Sequence, residues 1–283
     1  MEDDNLVDEI LGIYNYPFFN DKKMVSFVKS VFNKPRNMVI TTPDKSKFTS
    51  EDICKSFFSR IPVYFGKPMT TLFNDTISNY QQPFGIKYAV CGKAYLMDNS
   101  YFYAIHTWGI NLESNETDDY KNVVKDEKIN KTKYRNVTKK MIECIVKAKN
   151  HYKLDKVYMP LIGLGAYLTA VSYDQVHVAT TIFFEEISKT DLTVIILNKN
   201  SISAELYDKY KDNIEIGNLF TPRKGKYGVV NAWDSHSYIG NGGSRDNTID
   251  GWFVAGYGPN KDLKNSSFLH NYYFNRDICD NII

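Results

Sequence analysis

The sequence predicts an α/β protein: a three-layer α/β/α sandwich on a mixed, mostly parallel sheet, preceded by an N-terminal helical extension. Three observations carry that expectation. Apolar residues recur at helical spacing through the first 80 positions, the period shortens to that of strands from Lys87, and strand-like runs then alternate with amphipathic helices. The expected division is residues 1–80 as the extension and residues 81–283 as the sheet domain.

The extension opens with an acidic turn before Leu6, Val7, Ile10 and Leu11, followed by Met24, Phe27, Val28, Val31 and Phe32 at helical spacing. A third helix is expected after Thr49 and Ser50, with Glu51 and Asp52 in its first turn and Ile53, Phe57 and Phe58 facing inward. KYAVCGKAYLM and YFYAIHTWGI, separated by Asp98-Asn99-Ser100, are aromatic and β-branched runs that read as adjacent strands. Residues 111–133 are polar and read as an exposed loop. Val137, Met141, Cys144, Ile145, Ala148 and Tyr152 then mark an amphipathic helix.

KVYMPLI (156–162) reads as a strand running into Gly163-Leu164-Gly165, and Tyr173 to Lys189 as the next helix. LTVIIL (192–197) is apolar throughout, as expected of a strand covered on both faces. A helix near Ser203 to Tyr210 leads to two further strand candidates, NIEIGNLF and YGVVNAW. The second passes into DSHSYIGNGGSRDNTIDG, whose polar and glycine residues cannot continue a buried strand without burying unpaired polar groups. The chain must surface there. Gly240, Asn241, Gly242 and Gly243 let the main chain approach a ligand with no side chain between.

Composition narrows the function classes. A chain of 283 residues with 43% hydrophobic content can bury a full core. With 35 basic and 33 acidic residues the formal charge is +2, so no global field recruits nucleic acid or an acidic membrane. The four cysteines, Cys54, Cys91, Cys144 and Cys279, are far apart and read as reduced thiols without zinc. The acidic start and the absence of a long apolar run lead us to expect a cytosolic protein. No metal or cofactor is expected.

Two glycine turns, Gly163 to Gly165 and Gly240 to Gly243, each follow a strand. If those strands are parallel neighbours, the two turns can clamp one ligand carrying a diphosphate. Taken alone, each is as readily an ordinary tight turn. GLGAYL approaches a dinucleotide-binding fingerprint, but Leu168 replaces its third glycine and the next strand ends at Asn198 rather than at an acid. A calcium loop beginning at Asp246 fails because Tyr257 stands at its twelfth position. His236 and His270 have no partner at metal-ligand spacing.

Several of these segments together resemble the macrodomains, which bind ADP-ribose and often remove it from proteins. Ile105-His106-Thr107-Trp108-Gly109 is similar to the family's I-H-T-x-G strand end, with Ile110 where proline is usual. Met159-Pro160-Leu161-Ile162-Gly163-Leu164-Gly165 is similar to its P-x-I-x-x-G phosphate loop. Val230-Asn231-Ala232 resembles the start of V-N-A-A-N, with Asp234 at the second Asn and Gly240-Asn241-Gly242 in place of a glycine triplet. Ile216-Gly217-Asn218-Leu219 resembles G-D-I-T, with Asn218 at the aspartate. The motifs run in the reverse order, which a circular permutation explains without disturbing the sheet. The likeness covers roughly residues 83 to 260 and extends to macrodomains of bacterial effectors with an acidic catalytic loop.

The resemblance implies that residues 81–283 form an ADP-ribose-binding domain. Backbone amides of Gly163, Gly165 and Ala166 and of Gly240, Asn241, Gly242 and Gly243 would hold the diphosphate. Tyr167 would lie along the distal ribose or adenine, Asn231 would orient the proximal ribose, and Asn218 would accept from the adenine amino group. Equally ordinary parts for these side chains are a half-buried structural tyrosine and a turn-capping asparagine.

Removal of ADP-ribose is displacement at an anomeric carbon with oxocarbenium character, so a carboxylate there can activate water. Asp234, Asp246 and Asp250 are the catalytic candidates, although Asp246 could equally cap a helix and Asp250 be solvated. The implied activity is that of an ADP-ribosyl hydrolase acting, as a monomer, on an ADP-ribosylated protein. By analogy with the effector relatives, ubiquitin is a candidate substrate and a host cell a candidate destination. The alternative is a reader module that binds ADP-ribose without cleaving it.

Overall fold

The computed structural model describes residues 39–44, 84–95, 101–219, 221–232 and 282–283. In chain order its elements are β1 (Val39–Thr41), β2 (Ala89–Tyr95), β3 (Tyr101–Thr107), α1 (Asp118–Val123), β4 (Val124–Lys125), β5 (Lys128–Ile129) and α2 (Lys131–Tyr152). They continue as β6 (Lys156–Met159), α3 (Tyr173–Ile187), β7 (Thr193–Ile196), α4 (Ala204–Tyr210), β8 (Ile214–Ile216) and β9 (Tyr227–Ala232).

Seven of these strands form one sheet in the order β1-β2-β3-β9-β6-β7-β8. β1, β2 and β3 pair antiparallel, and every pairing from β3 through β9, β6 and β7 to β8 is parallel. The expected mixed, mostly parallel sheet is therefore present. The two glycine-bearing strands are neighbours: β9 inserts between β3 and β6, with Tyr158 opposite Val229 and Thr107 opposite Ala232.

Helix α2 starts where the Asn130 side chain accepts from the Lys133 amide, and ends at Lys153 in the left-handed conformation. Its buried stripe (Tyr134, Val137, Met141, Ile145, Ala148, Tyr152) is the one the periodicity marks, and each fully buried aliphatic such as Ile145 contributes about 2 kcal/mol. Its part from Met141 to Tyr152, together with Phe183, Phe184 and Ile187 of α3 and Leu206 and Tyr210 of α4, packs on Ile105, Val157, Met159, Val194, Ile196 and Val230, while Tyr134 and Val137 join a second cluster with Ile110, Leu112, Ala179 and Ile182. These helices thus cover one face of the sheet.

The alternate positions Phe102, Ala104, His106, Tyr158, Ile195, Val229 and Asn231 point to the opposite face and are buried too. β7 is accordingly apolar on both sides, as LTVIIL leads one to expect. Over this second face the chain returns from β8 to β9, and the Arg223 guanidinium lies 3.8 Å from the centre of the Tyr158 ring. A third, helical layer is not among the described residues.

Two expectations change. Val39–Thr41 falls within the stretch expected to be helical, yet it forms the outer strand β1, and Ile40 also bridges to Ile282. Three residues are too few to show a period, and pairing with β2 decides their state. The helices expected around Leu6, Met24 and Ile53 lie outside the described residues. The polar stretch 111–133 is also more than a loop. It holds α1, capped by Thr117, and the β4–β5 hairpin, whose turn places Asp126 and Glu127 at positive φ. The Ile129 amide donates to Gln175 Oε1 at 2.7 Å, fastening the hairpin to α3.

Candidate functional site

The carboxyl ends of β3, β9 and β6 come out side by side on one edge of the sheet. In parallel α/β sheets this edge is where loops converge on ligands. β3 continues into Trp108-Gly109-Ile110, β6 into Pro160 to Ala166, and β9 ends in Asn231-Ala232.

The loops after β3 and β6 touch backbone to backbone. A Cβ on Gly109 would stand 2.4 Å from Gly163 Cα, and one on Gly163 would stand 2.9 Å from Gly109 Cα. Gly163 also has φ +73°, so two separate constraints select glycine there. The far end of the loop is tied down by a reciprocal pair: the Leu112 amide donates to the Tyr167 carbonyl at 2.7 Å and the Ala170 amide to the Leu112 carbonyl at 3.1 Å. Between these anchors Gly165 and Ala166 are exposed, Tyr167 is half-buried, and the Gly165 and Ala166 amides have no acceptor among the described residues. Amides left without an acceptor on exposed residues suit an anion.

Asn231 sits deeper. It is 2% exposed, and its Nδ2 lies 3.0 Å from Nδ1 of the buried His106 on β3. Burial pushes the His106 imidazole down to about 3, so it is neutral at physiological pH. With Asn231 donating, the ring carries its proton on Nε2. This pair welds β3 to β9 beneath the strand ends and makes Asn231 part of the floor of the site rather than of its rim. The Ile-His-Thr and Val-Asn-Ala motifs drew attention to both residues, but nothing in the sequence showed that they meet across 125 positions.

Asn218 is exposed just beyond β8, on the same edge. The Gly217 amide donates to the Ile196 carbonyl and the Thr221 amide to the Asn218 carbonyl, which shapes this turn. β8 is three strand spacings from β9, about 14 Å. The structure thus brings Asn218, Gly163, Gly165, Ala166, Tyr167 and Asn231 to one edge. Asp234, Asp246, Asp250, Gly240, Asn241, Gly242 and Gly243 lie outside the described residues.

The dinucleotide alternative loses ground. Leu168, at the place of the third glycine, is buried in the cluster with Ala179 and Ile182. Asn198, where an acid would hold a ribose, uses its side chain to cap the turn Lys199–Ser201, accepting from the Asn200 amide at 2.9 Å. The sequence reading missed Gly109 as the partner of Gly163, although both are glycines in loops after strands.

Cys91 and Cys144 are buried free thiols. Among the described residues no group of His, Cys, Asp and Glu is arranged to hold a metal ion, and no helix is long and apolar enough to cross a membrane. No protein-family profile and no curated protein matches this chain.

Proposed function

We propose that this chain binds ADP-ribose along the carboxyl edge of β3, β9, β6, β7 and β8 and hydrolyses its bond to a modified protein. The observation that carries the reading is the parallel pairing of β6 with β9. It brings the strand entering Pro-Leu-Ile-Gly-Leu-Gly beside the strand ending Val-Val-Asn-Ala, although about 70 residues separate them. A permuted macrodomain requires this adjacency; two unrelated tight turns do not.

In this reading the Gly165 and Ala166 amides receive the diphosphate, Tyr167 flanks a ribose, and the turn at Asn218 receives the adenine. The span from β9 to β8, about 14 Å, suits a nucleotide lying extended across strand ends. Asn231, oriented by His106, supports the ribose end from below. For hydrolysis, one carboxylate among Asp234, Asp246 and Asp250 takes a proton from water as the oxygen bonds to the anomeric carbon. The bond to the protein side chain breaks, and the leaving group takes up a proton.

Calorimetric titration with ADP-ribose tests binding: we expect a dissociation constant in the millimolar range or tighter, and the absence of both heat and thermal shift would sink the reading. Release of ADP-ribose from a modified protein tests turnover. We expect turnover by wild type and its loss in one of Asp234→Ala, Asp246→Ala and Asp250→Ala. The second reading, a binding module, is favoured by one observation: the described part of the site supplies amides and ring surface but no carboxylate at the strand ends. Intact binding with no turnover by wild type would select it.

A further inference from the structure

Lys87 lies immediately before β2, is 2% exposed, and makes no ion pair with any described carboxylate. Its Nζ donates to the Gly109 carbonyl at 2.7 Å and to the Trp108 carbonyl at 3.2 Å, and lies 4.5 Å from the centre of the Trp108 ring. Its own carbonyl accepts from Thr42 Oγ1 at 2.7 Å, so its backbone is held as well. It borders a small cavity lined by Gly109, Ile110, Tyr134, Met141, Ile162 and Phe183, directly under the loops after β3 and β6.

A buried ammonium with only neutral acceptors is costly, and an apolar side chain of similar length would fill the same space. Its position gives it a use. The carbonyl it holds belongs to Gly109, whose α carbon abuts Gly163 at the start of the loop with the exposed Gly165 and Ala166 amides.

We propose that Lys87 is a positioning residue and buried counter-charge beneath the Gly163–Ala166 loop, so that binding of a nucleoside diphosphate there is coupled to protonation of Lys87. This rests on the ADP-ribose reading above. Around a buried charge water screens poorly, so the Lys87 ammonium acts on an anion bound at the loop above it beyond direct contact. Coupling is reciprocal: if the anion favours the proton, the proton favours the anion by the same factor.

Burial lowers the Lys87 ammonium to about 8, opposed by the charge of Asp119 on α1. Among the described residues the other titratable groups facing it, Tyr134 and Cys144 of α2, are pushed up by burial and stay neutral. His106 also stays neutral. The diphosphate of ADP-ribose does not titrate between pH 7 and 9.5, so a pH dependence in this window reports the protein.

The test is calorimetric titration of the full chain with ADP-ribose from pH 6.5 to 9.5, at each pH in two buffers of different ionisation heat. We expect wild-type affinity to fall about tenfold between pH 7 and 9.5, with proton uptake on binding near pH 8. Lys87→Met is expected to bind about tenfold more weakly at pH 7, with neither pH dependence nor proton uptake. Flat wild-type affinity without proton uptake, or a Lys87→Met protein that keeps both, overturns the inference. If Lys87→Met does not fold, the wild-type titrations decide alone. Wild type that binds no ADP-ribose at any pH sinks the functional reading and this inference with it, whereas pH-independent binding sinks only the inference.

Discussion

Glu186 and Lys87, two of the buried charges among the described residues, are held in different ways, and the contrast separates fastening from function. Glu186 of α3 is held by Arg135 of α2 at 2.7 Å and by Lys189 at 2.7 Å, and Arg135 also reaches Glu185 at 2.5 Å. Burial alone would raise its carboxyl, but hydrogen bonds and charge from Lys189 and Arg135 outweigh that and hold it below the usual range. Lys87 has two carbonyls and an indole face instead, and burial wins. The first arrangement clamps two helices, α2 and α3, to each other. The second keeps a cation that makes no ion pair with a described carboxylate under the loop proposed to take an anion. A charge supplied with counter-ions is explained by stability; one without them calls for another explanation.

The contrast can be broken at the loop that Lys87 supports. Gly109→Ala would force a Cβ onto the Gly163 backbone, and we expect a loss of about 4 kcal/mol in denaturant unfolding together with loss of ADP-ribose binding. Unchanged stability would show that the two loops separate freely.

The next effect is pH-linked. Because the folded Lys87 ammonium lies below its ordinary value, the native state binds fewer protons than the unfolded chain between about pH 8 and 10.5. Its charge is a penalty fully present below about pH 8 and relieved as pH rises through that window. Relative to Lys87→Met, wild type should gain on the order of 3 kcal/mol from pH 8 to 10.5, measured by unfolding at each pH. Glu186 behaves oppositely in meaning. Its charge stabilises above the ordinary carboxyl range, and that contribution disappears as pH falls through the lowered folded value.

Glu186→Ala should therefore cost about 2 kcal/mol at pH 7 and less at pH 3, read from the same unfolding curves, with ADP-ribose affinity unchanged. Lys189→Ala, which removes a partner that is 61% exposed, should cost under about 0.5 kcal/mol. A larger change in binding than in stability for either variant would erase the distinction drawn between the two charges.

Much of the sheet domain was legible from periodicity. Val137 to Tyr152 declared α2, and KVYM, TVII and YGVVNA declared β6, β7 and β9. The start of α2 was misplaced because Lys131, Thr132 and Lys133 carry no apolar signal; the Asn130 cap sets it. β4 and β5 escaped because two-residue strands have no period, and β1 because its three residues become a strand only by pairing with β2. In the site, the exposed loop at Gly165 could be found from its glycines, but Lys87 reads as an ordinary polar residue leading into a strand. Nothing local tells where its ammonium goes.

The sequence by itself determined which segments are helix or strand and which strand ends carry polar, glycine-rich turns, because the spacing of apolar side chains records which face each element buries. Only the tertiary structure decided that β9 lies between β3 and β6, that His106 meets Asn231, and that Gly109 closes against Gly163 above Lys87. These depend on strand order and on backbone contact between distant loops. Many orders would satisfy the same local periods, and they are separated only when both faces of the sheet are buried together with their polar groups paired.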